Sequence, residues 1–155
     1  MTHSANPVLL RSSLRRAALM NGVINVVINA AIQAWLLRGQ GPVPLSADAI
    51  SSTSHTVLSG AVPLAVSLAM ILTAIGWLTL KGPKRPFLPE ILLLIAKHGV
   101  LAFGILVTAA VLWQRAVGTV SVPVWVVVIV LGLIAGLVAA VVQYYTALAA
   151  REPRT

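Results

Sequence analysis

The sequence predicts an all-α integral membrane protein, a bundle of four transmembrane helices with both termini cytoplasmic. Three observations carry that expectation. Hydrophobic residues make up 59% of the 155 residues and charged residues only 9%, against roughly 45–50% and about 25% in soluble domains. Four long apolar runs are separated by short clusters of charge and turn formers. A bilayer core about 30 Å thick needs about 20 apolar residues in a helix to cross it, and in lipid only a helix satisfies its own backbone. A soluble domain of this size must cover a large surface with polar groups, which this chain lacks. With no cysteine, a disulfide scaffold is excluded as well.

The first helix is expected over 17–37. Its basic flank is like that of a secretory signal, but the apolar run exceeds the 7–15 residues of a signal core. Asn21, Asn25 and Asn29 also interrupt it, so it reads as an uncleaved anchor. The loop from Arg38 to Thr56 is rich in Gly, Pro and Ser, which form turns, and Thr53 or Ser54 is expected to cap the next helix. The second helix covers 57–80. Pro63 inside it lacks an N–H and is expected to kink it, with Ser59 or Ser67 satisfying freed groups. The prolines of KGPKRPFLP stop that helix and make a stiff basic corner, suited to anionic lipid headgroups at about 1 kcal/mol per basic residue. The third helix, over 90–113, carries Lys97 and His98 within the span, and the fourth covers 123–147. Residues 1–16 and 148–155 are read as cytoplasmic tails of a single transmembrane domain, 1–155.

Loop charge sets the orientation. Arg11, Arg15 and Arg16, then Lys81, Lys84 and Arg85, then Arg151 and Arg154 fall on one side, and only Arg38 and Arg115 on the other. The positive-inside rule puts the first side in the cytoplasm, with the chain in the cell (inner) membrane. Trp35, Trp113 and Trp125 then form an outer aromatic belt, and Trp77, Tyr144 and Tyr145 an inner one. The net charge of +8 does not indicate nucleic-acid binding, because the basic residues sit between apolar runs and not along one face.

The strongest functional feature is a row of amides at Asn21, Asn25, Asn29 and Gln33. Steps of four turn a helix by 400°, so the row climbs about 18 Å as a shallow spiral on one face. Interhelical hydrogen bonds in membranes average about 0.6 kcal/mol, whereas an unbonded buried amide costs roughly 1–3 kcal/mol. The row therefore reads as a wet or ligand-facing surface, or else as polar glue between helices. Lys97, about 10 Å along the axis from Glu90, either snorkels to the headgroups or adds charge to a path. His98 either relays protons or hydrogen-bonds to a neighbouring helix. Gly132 and Gly136, with Ala140 on the same side, permit close backbone approach to a helix of the same chain or of a second copy. A faint repeat matches Asn21-Gly22-Val23-Ile24 with His98-Gly99-Val100-Leu101, and Ala61–Val66 with Ser121–Val126, bringing Gly76 onto Gly136. Two parallel helix hairpins related about the membrane normal would give that pattern.

Enzymatic and cofactor roles find no support in the residues. His3, His55 and His98 fall in a tail, at the outer mouth of helix two and in the inner half of helix three. His55 and His98 are thus about 20 Å apart by bilayer thickness and cannot share one iron. With three acidic residues and no cysteine, no metal-ligand cluster is expected and no cofactor either. Asp48, Ser51 and His55 have the residue types of a hydrolase triad, but no nucleophile elbow surrounds them. The expected function is an oligomeric permease or channel for a small polar or ionic solute, with Lys97 or His98 near the inner end of its path. The alternative is an accessory, assembly or immunity protein whose amide row docks a partner helix. The expected partners are the lipid bilayer and either further copies of the chain or another membrane protein.

Overall fold

The computed structural model describes residues 7–47, 56–80 and 84–150. It contains α1 (Pro7–Leu36), β1 (Val43–Leu45), α2 (Val57–Thr79), a π-helical turn (Phe87–Ile91) that leads into α3 (Leu92–Ala116), β2 (Val120–Val122) and α4 (Val124–Ala149). All four α-helices are long and apolar enough to cross a membrane, which is the composition of a multi-pass membrane protein.

The helix ends differ from expectation for local reasons. α1 begins ten residues earlier than 17, at Pro7, because proline suits a first helical position and Arg11, Arg15 and Arg16 are good helix formers. Thr56 caps α2; Thr53 and Ser54 lie outside the described residues. Thr56 Oγ1 accepts from the Ser59 N–H at 3.1 Å and the Thr56 N–H donates to Ser59 Oγ at 3.0 Å, a reciprocal capping box. Ser59 is thus engaged at the cap and not at Pro63. α2 runs through Pro63 without interruption, and Ser67 Oγ donates to Pro63 O at 2.7 Å. At the other end of α2, Lys84 Nζ donates to Trp77 O at 3.0 Å and lies 4.1 Å over the Trp77 ring. A cation there complements the negative end of the helix dipole. Arg85 pairs with Glu90 at 3.4 Å, so two charges of the basic corner have protein partners.

The turn-rich loops contain strands that the sequence reading did not anticipate. Val43–Leu45 pairs antiparallel with Val120–Val122 in the register Val43↔Val122, Pro44↔Ser121 and Leu45↔Val120. Gln114, at the end of α3, ties this small sheet to the first loop: its Oε1 accepts from Ala47 N–H at 3.0 Å and from Ser46 Oγ at 3.3 Å.

Helix packing follows the order α1–α4–α2–α3, and α1 makes no extensive contact with α2 or α3. The four helices of the bundle are arranged as a row with α1 and α3 at its edges. Small residues select these seams because they let backbones approach. A Cβ at Gly136 would overlap Val26 Cγ2 and lie 2.8 Å from Gly22 O, and one at Gly132 would lie 3.2 Å from Ala30 Cβ. The glycine pair of α4 therefore meets a helix of its own chain. Between α2 and α4, Gly76 fits against Thr146 and Gln143.

The row has an internal two-fold arrangement. Gly22 faces Gly136 and Ala140, while Gly99 faces Val66 and Met70. A shift of 77 residues carries Gly22 onto Gly99 and β1 onto β2, and a shift of 70 carries Val66, Met70 and Gly76 onto Gly136, Ala140 and Thr146. Burial follows the same shift: Val57 and Val127, Ala61 and Leu131, Ala65 and Ala135, and Ala69 and Ala139 are all buried pairs. The α2–α4 half of the sequence alignment is hence off by ten residues, and Pro63 and Pro123 are not equivalent: Pro123 caps α4, whereas Pro63 lies in the second turn of α2.

Contact at the α1–α4 seam makes Gly136→Val costly, by roughly 1–3 kcal/mol or more from overpacking. Gly60 has nothing within 4 Å of its would-be Cβ, so Gly60→Ala should stabilise by about 0.5–1 kcal/mol. Unfolding of the purified protein in mixed micelles measures both; equal effects would mean that the seam is not the close contact described.

Candidate functional site

The amide row begins as a ladder within α1. Asn25 Nδ2 donates to Asn21 O at 2.9 Å and to Asn21 Oδ1 at 3.2 Å, and Asn29 Nδ2 donates to Asn25 O at 3.0 Å. Short amide side chains on a helix reach the carbonyl one turn back. That bonding fixes which atom is nitrogen, because an amide oxygen would be repelled there. Asn21 and Asn25 are half-buried at the flank of the α4-facing side, and Asn29 is 8% exposed. No described residue donates to Asn25 Oδ1 or Asn29 Oδ1, and neither oxygen is sealed inside the protein.

Gln33 continues the row into a cleft of about 330 Å³ at the strand end of the helices. Leu36, Leu37 and Gln40 of the α1 end, Val43 of β1, Thr56 to Gly60 around the α2 cap, and Val127 and Leu131 of α4 line it together with Gln33. Its position follows from the helix order: α1 and α2 both lean on α4 and leave a groove between them. Gly60 keeps the groove open, and its two-fold counterpart is Val130.

Lys97 and His98 are not brought to this row, because α3 lies at the opposite edge. Lys97 is exposed on α3. His98 turns towards α2, where its Nδ1 lies 2.8 Å from Thr73 Oγ1, which itself donates to Ala69 O at 2.7 Å. Thr73 and Thr146 are fully buried, and Thr146 Oγ1 makes no hydrogen bond to any described residue. The two-fold shifts place Asn21 and Gln143 as counterparts of His98 and Thr73, so each helix carries a polar residue at this level of the repeat. Sequence reading missed Thr73 and Thr146 because isolated threonines in apolar helices are ordinary; the contact of Thr73 with His98 appears only once α2 and α3 are neighbours, and that of Thr146 with Gly76 once α2 and α4 are.

The two halves also provide a comparison inside one chain. Where α1 carries Asn25, Asn29 and Gln33, the equivalent positions of α3 are Ala102, Leu106 and Ala110, and Ala102 and Ala110 are buried. The α2–α3 seam thus has no amides at these positions, and Leu106 is less buried than Asn29.

Pro63, the expected kink, is exposed on α2 and lines neither the cleft nor the polar level. Asp48, Ser51, His55 and His3 lie outside the described residues, and among the described residues no three His, Asp or Glu side chains gather as metal ligands would. No protein-family model, curated protein or solved structure matches the chain.

The Thr73–His98 contact should show a coupling of about 0.6 kcal/mol, the mean for interhelical hydrogen bonds in membranes. A double-mutant cycle with Thr73→Val and His98→Ala, read by unfolding in mixed micelles, tests this. Strict additivity would mean that the two helices are not joined there.

Proposed function

We propose that this chain is a small inner-membrane permease for a polar solute, with both termini cytoplasmic and Asn21, Asn25, Asn29 and Gln33 along its path. The cleft at Gln33 is then its outer mouth. One observation carries this reading: positions 25, 29 and 33 of α1 are amides, while the positions 77 residues later in α3 are Ala102, Leu106 and Ala110. Asn25 Oδ1 and Asn29 Oδ1 lack a donor from the described residues, and leaving such groups in hydrocarbon costs roughly 1–3 kcal/mol each. Water or a solute relieves that cost. Lys97 and His98, at the far edge of the row, stand outside this path. The lipid bilayer, or a second copy of the chain, covers the outer face of α1.

The alternative, an accessory protein whose amide row docks a partner helix, is less well supported. Asn29, central to the row, already has most of its surface covered in a single chain.

The absence of native cysteine allows a direct test. With a membrane-impermeant maleimide outside intact cells, Gln33→Cys should react fastest, Asn29→Cys and Asn25→Cys more slowly, and Ile28→Cys, half-exposed towards lipid, not at all. Reaction at position 33 with protection of 25 and 29 from both sides would make the cleft a blind pocket and remove permeation. Orientation is tested separately by reporters fused after Thr155. A fluorescent protein should glow and a periplasm-dependent phosphatase stay inactive; the reverse pattern would turn the cleft towards the cytoplasm.

A further inference from the structure

The geometry points to an uncharged, hydroxyl-bearing solute with an apolar side, of the class of short alkanediols, as the ligand of the cleft and amide row. This inference rests on the permease reading and specifies its substrate.

Charge comes first. No described residue lining the cleft or the row is ionisable. An ion entering there would lose hydration with no countercharge, and uncompensated burial of charge is far more costly than burial of a hydroxyl. Carbonyl-type oxygens do replace the water around cations where they form rings about the ion. Here the amides lie along one helix, and the facing wall at Val127 and Leu131 is apolar. Such an arrangement contacts a ligand from one side only.

Hydrogen-bond inventory comes second. A primary amide has two N–H donors and a carbonyl acceptor. Asn25 directs its nitrogen to both oxygens of Asn21, and Asn29 uses one N–H on Asn25 O. Their Oδ1 atoms remain as acceptors, and no described residue bonds to the Gln33 amide. The site thus offers both acceptors and donors, the donors at Asn21, Asn29, Gln33 and Gln40. A hydroxyl both donates and accepts, so successive hydroxyls of a diol match successive amides, while its alkyl part meets Leu36, Leu37, Val127 and Leu131. The cleft, at about 330 Å³, stands at the lower end of the roughly 300–1,000 Å³ typical of small-molecule sites.

The test uses the full chain reconstituted in liposomes, with Gly60→Cys as reporter, since a Cβ at 60 meets nothing within 4 Å. Its reaction with an impermeant maleimide is followed with 1,2-hexanediol, potassium chloride or ammonium chloride present. Ser121→Cys, exposed on β2, controls for effects of the additives on the reagent. The diol should slow labelling about threefold at twice its dissociation constant, by simple occupancy, and the salts should leave it unchanged. Adding Asn29→Leu or, separately, Gln33→Leu should remove diol protection while labelling persists. Labelling that is slowed by a salt, or by nothing, would overturn the solute class and leave the permease reading standing. No labelling at position 60 would close the cleft to water and overturn both.

Discussion

The whole arrangement depends on how closely α4 can approach its neighbours. Gly132 and Gly136 bring the α4 backbone against Val26 and Gly22 of α1, and Thr146 fits into the space left by Gly76 of α2. In lipid there is no hydrophobic gain from helix contact, so association rests on packing and on interhelical hydrogen bonds. Helices with small residues on two sides can take two close partners, and α4 has them on both. The inner position of α4 in the row, the edge position of α1 and the groove between α1 and α2 all follow from that.

The two-fold arrangement separates what is needed for the fold from what is added to it. Seams at Gly22 and Gly99, alanines at equivalent depths of α2 and α4, and the β1–β2 pair recur in both halves. These elements build the scaffold. Polar groups recur at the level of Asn21 and Gln143 in one half and His98 and Thr73 in the other, and Arg38 recurs as Arg115. Beyond that level, towards the strands, α1 carries Asn25, Asn29 and Gln33 where α3 carries Ala102, Leu106 and Ala110. An unpaired amide is destabilising in hydrocarbon, so the helix that carries three where its counterpart has none is the one where chemistry is to be sought.

Local bonding explains how such a helix persists. Each asparagine after the first in the ladder returns a donor to the backbone one turn earlier, which lowers the cost of its nitrogen without engaging its oxygen. Gln33, with a longer side chain, stands where the ladder opens into the cleft. The loops at the strand end hold that region together through Ser46, Gln114 and Thr119, with Thr119 Oγ1 donating to Ser46 Oγ at 3.2 Å. The walls of the cleft are thereby fixed by hydrogen bonds outside the apolar region.

Composition and run length were enough to give four apolar helices, because crossing a bilayer demands length and apolarity whatever the neighbours are. The spacing of Asn21, Asn25, Asn29 and Gln33 was likewise readable, since the helical period alone puts them on one face. The repeat was visible around Gly22 and Gly99, where a glycine anchors the match, and misplaced by ten residues in α2 and α4, where runs of Val, Leu and Ala slide past one another without penalty. Which helices touch was decided only in three dimensions. Gly132 and Gly136 specify a close contact but not its partner, so the open row, the separation of Lys97 and His98 from the amides, and the cleft beside Gly60 depend on long-range packing. Thr56 as the cap, in place of Thr53 or Ser54, and the short strands were settled by hydrogen bonds whose local sequence signals are weak.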